Sequence, residues 1–195
     1  MRLSRPVILA SSSPHRRELL NRFGLKYEAF APDIDESALK GESASDYVKR
    51  LALAKAQAIA TRFPHAIVIG SDQAAVIDAA VLGKPGGKER AVAQLRQASG
   101  RTVRFFTGLA VLDSSGKPIG VDVVPYSVHF RELTSEEIDR YVEADRPYDC
   151  AGSFKAEGLG ITLFRAMEGE DPTALIGLPL IRLAELLRLA GIPLP

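Results

Sequence analysis

Ser11-Ser12-Ser13-Pro14-His15-Arg16-Arg17 follows the short apolar run Val7-Ile8-Leu9-Ala10 and precedes a helical pattern. Ser13 is placed to cap that helix and Pro14 to occupy its first turn. Such a strand–turn–helix junction offers free N–H groups, hydroxyls, a helix dipole and two fixed cations, a combination that favours a bound anion, phosphate above all. The ordinary alternative is a strand–helix junction with solvated arginines. Lys55 lies four residues after Leu51 and four before Ile59, on the apolar face of its helix. There it either extends its ammonium to water, the commoner arrangement for a lone lysine, or points into a polar pocket as a phosphate counter-charge. Gly70-Ser71-Asp72-Gln73 follows the apolar run 66–70, where a carboxylate past a strand end serves as general base or metal ligand, or else caps a turn. Gly83-Lys84-Pro85 pins a lysine between a flexible and a rigid residue, the glycine allowing close approach to a ligand; a solvated turn is the plainer reading. Asp33-Ile34-Asp35-Glu36 clusters the oxygen donors that a hard divalent cation takes together with phosphate, though an acidic loop reads the same way. Taken together, these groups describe a cleft for a metal–polyphosphate with a carboxylate able to activate water.

These residues need elements to hold them. Strand patterns cover residues 7–10, 26–30 and 66–70, and helical patterns cover 14–23, 45–62 and 88–98. This alternation predicts an α/β layer architecture. Residues 101–113 and 119–131 are β-branched and aromatic, with Ser114-Ser115-Gly116-Lys117 as a hairpin turn between them. Thr134 and Glu137 form a capping box for a helix over 134–145, and a leucine-rich helix over 179–190 reads as core with Gly191 as its stop. The expected fold is a mixed, twisted sheet flanked by helices and bent into two lobes around a central cleft, all within one domain over residues 1–195.

Bulk composition narrows the partners. The chain has 195 residues, 46% hydrophobic and 25% charged, with a formal net charge of +1. No global basic field holds a nucleic-acid backbone or an anionic membrane, so any anion site is local. The sequence carries neither a signal-peptide pattern nor an apolar run of membrane-spanning length. One cysteine, Cys150, excludes an internal disulfide and fits a reducing compartment; with no histidine near it in sequence it reads as structural. The glycines of the segment 148–161 match no dinucleotide fingerprint.

In this order the motifs resemble the Maf family of nucleotide pyrophosphatases. The resemblance runs through Leu9-Ala10-Ser11-Ser12-Ser13-Pro14, Arg16-Arg17-Glu18-Leu19-Leu20, Asp35-Glu36, Ala54-Lys55-Ala56, Gly70-Ser71-Asp72-Gln73 and Gly83-Lys84-Pro85. It continues through Thr107-Gly108, Cys150-Ala151-Gly152-Ser153-Phe154, Gly158-Leu159-Gly160-Ile161 and Gly177-Leu178-Pro179-Leu180. It implies a cytoplasmic enzyme, often a homodimer, that splits a nucleoside triphosphate into monophosphate and pyrophosphate with Mg²⁺ or Mn²⁺. By position, Asp72 is implied as proton acceptor and Ser11, Ser13, Arg16, Arg17, Lys55 and Lys84 as phosphate holders. Glu36 is implied as a metal or water ligand, with Asp72 as a further metal ligand.

Within the family, Gln73 and Glu157 match the subgroup that handles 7-methyl-GTP, where the dTTP/UTP subgroup carries threonine and glutamine. Glu157 suits a guanine: a carboxylate accepts from both N1–H and the 2-amino group, whereas uracil or thymine would set carbonyls against it. Discrimination resting on unpaired buried polar groups reaches ~10⁴-fold. His15 departs from the pattern, since that subgroup tends to carry tryptophan; a neutral imidazole still stacks on the cationic methylated base. The expected reaction is hydrolysis of 7-methyl-GTP. Alternatives are a broader pyrophosphatase for modified nucleotides and a non-catalytic nucleotide-binding regulator of cell division or septum formation.

Overall fold

The structure, a computed structural model, describes residues 5–78, 80–113 and 115–195. They fall into two compact units: residues 5–72, Thr107–Val124 and Asp171–Pro195 in the first, and Gln73–Phe106 with Pro125–Glu170 in the second. The strands are β1 (Val7–Ala10), β2 (Glu28–Ala29), β3 (Ile67–Ile77), β4 (Ala80–Leu82), β5 (Thr102–Leu112), β6 (Pro118–Phe130) and β7 (Phe164–Glu168). The helices are α1 (Pro14–Asn21), α2 (Ala44–Ala60), α3 (Lys88–Ala98), α4 (Ser135–Asp145), α5 (Pro172–Ile176) and α6 (Leu180–Leu189). Strand order is β2-β1-β3-β5-β6-β7, with β4 pairing off β3. β1 runs parallel to both β2 and β3, while β3–β4 and β6–β7 are antiparallel. The mixed sheet with flanking helices is the architecture expected from the alternating pattern.

In the first unit, strand residues alternate between two cores. Val7, Leu9, Ile67, Ile69, Leu109 and Val111 pack with Leu19 and Leu20 of α1 and with Leu183, Leu186 and Leu187 of α6. Ile8, Ala10, Val68, Ala110 and Leu112 pack with Ala52, Ala56 and Ile59 of α2. Both faces of these strands are therefore covered, which is why they read as unbroken apolar runs. Helix α2 lies flush on the sheet: a Cβ at Gly70 would stand 2.1 Å from the Ala52 carbonyl oxygen, and one at Gly108 would stand 2.2 Å from that of Val48.

In the second unit, Phe154 meets Phe105, Phe130 and Phe164 edge-on at centroid distances of 5.4, 5.5 and 4.8 Å. The Thr134–Glu137 capping box opens α4 as its sequence predicts.

Three expectations need correction. β3 does not stop at Gly70 but continues to Ile77, so Asp72 stands inside a strand rather than past its end. The polar run Gly70-Ser71-Asp72-Gln73 stays extended because tertiary partners satisfy it, as described below, and because β4 pairs with Ala75, Val76 and Ile77. The last helix is core on one face only: Ile181 and Leu189 are 56% and 72% exposed. Finally, β2 is confined to Glu28–Ala29, and the structure adds the short elements α5 and β7 to those expected from the sequence. In the turn after β5, Ser114 lies outside the described residues; the Asp113 amide donates to the Lys117 carbonyl at 2.8 Å, and so short a connection demands antiparallel strands.

Candidate active site

The hydroxyl turn forms as its sequence predicts. After β1, Ser11 is buried, and its Oγ accepts the Ser13 amide at 3.1 Å. Ser13 caps α1, its Oγ accepting the Arg16 amide at 3.4 Å, with Pro14 opening the helix. Each serine oxygen already accepts one N–H, so what it offers an anion is its own proton.

Helix α1 separates the two arginines. Arg17 is exposed, whereas Arg16 is half-buried and donates through Nε to the Gly177 carbonyl at 2.8 Å. Ser71 Oγ lies 2.9 Å from that same carbonyl and 2.8 Å from the carbonyl of Gly108. Burial pulls the pKa of Arg16 down from its ordinary value, and the carboxylates of Asp72 and Glu36 oppose that fall. The guanidinium therefore stands in the field of both acids.

On the opposite face of the strands, α2 and β3 bring Lys55 to Asp72. Val68, Gly70 and Asp72 alternate toward α2, and the absent Cβ of Gly70 lets the helix backbone close down on the strand. Lys55 Nζ reaches Asp72 Oδ1 at 2.6 Å and Glu36 Oε1 at 2.8 Å. The side chains of Lys55 and Asp72 are only 7% and 10% exposed, while that of Glu36 is 55% exposed. The reading of Lys55 as a snorkelling lysine is thus corrected: a buried carboxylate faces it, and a buried ammonium is tolerable when paired and hydrogen-bonded. Two carboxylates brought onto one point also form the oxygen donor set that suits a hard divalent cation, so Glu36 and Asp72 fit the metal that the family resemblance implies.

The remaining candidates are distributed as follows. His15 is half-buried in the first turn of α1, within the first unit. Gln73, Lys84 and Glu157 belong to the second unit. Gln73 is half-buried on β3, and Lys84 is exposed between β4 and α3. The Gly83 carbonyl beside Lys84 accepts Gln94 Nε2 at 3.0 Å, and the Gly86 amide donates to the Tyr148 carbonyl at 2.9 Å. Glu157 is exposed just before the 3₁₀ turn Leu159–Leu163, in a loop where the Gly158 amide donates to the Lys155 carbonyl at 3.2 Å. Burial, then the neighbouring Asp149, push the Cys150 thiol up to about 12, so it is a neutral thiol near pH 7.

Sequence reasoning missed the residues that hold Glu36 in place. Tyr47 Oη donates to the Glu36 carbonyl at 2.9 Å, and Arg50 Nη2 donates to the Ser37 carbonyl at 3.1 Å. Tyr47 stands two helical turns before Lys55 on one stripe, a spacing that is legible once Lys55 is known to face a site.

Three relatives each carry the name 7-methyl-GTP pyrophosphatase. That of Pseudomonas aeruginosa is 59% identical over 189 residues, 97% of this chain and 98% of its own length. That of Alkalilimnicola ehrlichii is 58% identical, covering 97% and 95%. That of Polaromonas sp. is 54% identical over 193 residues, covering 98% and 87%. The family model described as Maf-like protein matches residues 6–190, and with relatives this similar over nearly full length the chain belongs to the Maf-like family.

Proposed function

We propose that this chain hydrolyses 7-methyl-GTP to 7-methyl-GMP and pyrophosphate. The observation that carries the reading is the buried Lys55–Asp72 pair, with Glu36 on the same ammonium and Arg16 in the field of both acids. The names of relatives at 54–59% identity supply the substrate.

In this mechanism water attacks the α-phosphorus in line. A new P–O bond forms to the water oxygen, the bond to the oxygen bridging the α- and β-phosphates breaks, and pyrophosphate leaves. Asp72 accepts the proton of the attacking water. In the free enzyme its carboxylate is engaged by Lys55; a bound triphosphate offers that ammonium competing oxygens and so frees Asp72 to act as base. Arg16, Lys55 and Lys84 hold the departing pyrophosphate, and Ser11, Ser13 and Arg17 contribute donors to the phosphate chain. Glu36 and Asp72 would hold a divalent cation, Mg²⁺ or Mn²⁺, which would supply Lewis-acid neutralisation of the phosphate charge. Glu157 accepts from the guanine edge, Gln73 lines the base site, and His15 stacks on the methylated ring. The reaction belongs to the cytoplasm, which the single cysteine fits, and among the described residues no helix is long and apolar enough to cross a membrane.

The test is a panel of nucleoside triphosphates (7-methyl-GTP, GTP, UTP, dTTP and other modified purines) assayed for monophosphate and pyrophosphate with Mg²⁺, with Mn²⁺ and with EDTA. Preferential turnover of 7-methyl-GTP that EDTA abolishes is expected. Comparable rates across modified purines would replace the reading with a broad pyrophosphatase. Binding without pyrophosphate release would make the chain a nucleotide-binding regulator.

A further inference from the structure

Residues 31–39 form neither helix nor strand, and the Glu36 side chain is 55% exposed, yet its Oε1 meets Lys55 at 2.8 Å. An exposed carboxylate on an irregular segment keeps such a position more firmly where its backbone is tied to packed elements. Two side chains of α2 fix it. Tyr47 Oη donates to the carbonyl of Glu36 itself at 2.9 Å. Arg50 donates to the Ser37 carbonyl at 3.1 Å and grips Glu42 with both arms of its fork, at 2.6 and 2.7 Å. Glu42 in turn accepts the Leu39 amide at 3.0 Å, so the segment is tied at its middle and at its end. The Arg50 guanidinium also stands 5.6 Å from the centre of the Tyr47 ring, which links the two ties.

We infer that Tyr47, backed by Arg50, is a positioning residue that sets Glu36 against Lys55 and Asp72. The geometry is economical: Tyr47, Leu51 and Lys55 recur every four residues on one helix, so the helix that carries the cation also anchors the loop bringing its acidic partner. A rigid body thereby controls both ends of the Lys55–Glu36 contact, and a site held by a packed support keeps its productive geometry. The inference rests on the reading that Glu36 belongs to the phosphate–metal site.

The test compares Tyr47→Phe, Glu36→Gln and the double variant with the unaltered protein. Tyr47→Phe removes one hydroxyl and keeps the ring under Arg50. The measurements are kcat and KM for 7-methyl-GTP, Mn²⁺ affinity of the nucleotide-free protein by calorimetry, and Tm. One lost hydrogen bond is expected to lower kcat/KM and Mn²⁺ affinity by about 2- to 10-fold. The double variant is expected to be no worse than Glu36→Gln alone, because Tyr47 acts through Glu36. Arg50→Lys, which keeps the charge but loses the fork, should move both readouts the same way. If Glu36→Gln is impaired while Tyr47→Phe keeps the original kcat/KM and Mn²⁺ affinity, the positioning role is wrong and the site reading stands. Losses that multiply in the double variant overturn it equally. If Glu36→Gln itself is unimpaired, the site reading fails at Glu36 and the inference falls with it.

Discussion

Gly70→Ala tests whether the packing of α2 on β3 sets the site. The added methyl would stand 2.1 Å from the Ala52 carbonyl oxygen and 2.9 Å from Ala56 Cβ, both on α2. The obstruction is backbone, so no side-chain rotation relieves it, and the helix must retreat by more than about 1 Å to restore ordinary contact. Overpacking of this kind costs about 1–3 kcal/mol. For a chain of this size that lowers Tm by about 2–4 °C per kcal/mol. The retreat begins one turn before Lys55 and lengthens its 2.6 Å contact with Asp72. A misplacement near 1 Å can cost up to ~10²-fold in rate, so a loss of about 10-fold or more in kcat is expected alongside the fall in Tm. The assay is thermal unfolding together with pyrophosphate release from 7-methyl-GTP. Gly108→Ala separates the two effects: its methyl would meet the Val48 carbonyl at 2.2 Å, two turns before Lys55, so it should destabilise similarly with a smaller loss of rate. A Gly70→Ala protein with unchanged Tm and unchanged kcat would refute the claim that helix–strand contact positions the lysine.

Other outcomes follow from the same geometry. Asp72→Asn keeps the size and removes the base, so turnover should fall by at least ~10²-fold; steady-state rates near those of the unaltered protein would remove Asp72 from that role. Glu157→Gln should raise the rate on UTP and dTTP relative to 7-methyl-GTP, and an unchanged ranking in competition assays would count against base reading by this residue. Arg50 holds the Glu42 carboxyl at about 2, below its ordinary 4.5. A depressed carboxylate contributes stability that is complete above about pH 4.5 and is lost as pH falls toward 2. Glu42→Gln should therefore flatten the acid side of a Tm-against-pH curve between pH 5 and 2.5, and parallel curves would show that the Arg50–Glu42 pair carries no such linkage.

Local chemistry was legible where a short segment decides its own conformation. The Ser13 cap, Pro14 at the start of α1, the Thr134–Glu137 box and the extent of α3 each depend on neighbours a few residues apart, and each appears as expected. The buried strand β1 was equally plain, because burial on both faces leaves an unbroken apolar run. The course of β3 was not. Polar Ser71 and Asp72 look like a strand end until carbonyls 37 and 106 residues away take the hydroxyl and a helix supplies an ammonium.

Propensity, capping and hydrophobic period act over a few residues, so the layered architecture, the capped helices and the residue types proposed to bind phosphate and move a proton are legible in the chain alone. Packing made Lys55 a buried partner of Asp72, parted Arg16 from Arg17, and brought Tyr47 to the Glu36 carbonyl. The first depends on how closely α2 approaches β3, the second on the Gly177 carbonyl that takes Arg16, and the third on the bond from Tyr47 to the Glu36 carbonyl, none of which a few neighbouring residues specify.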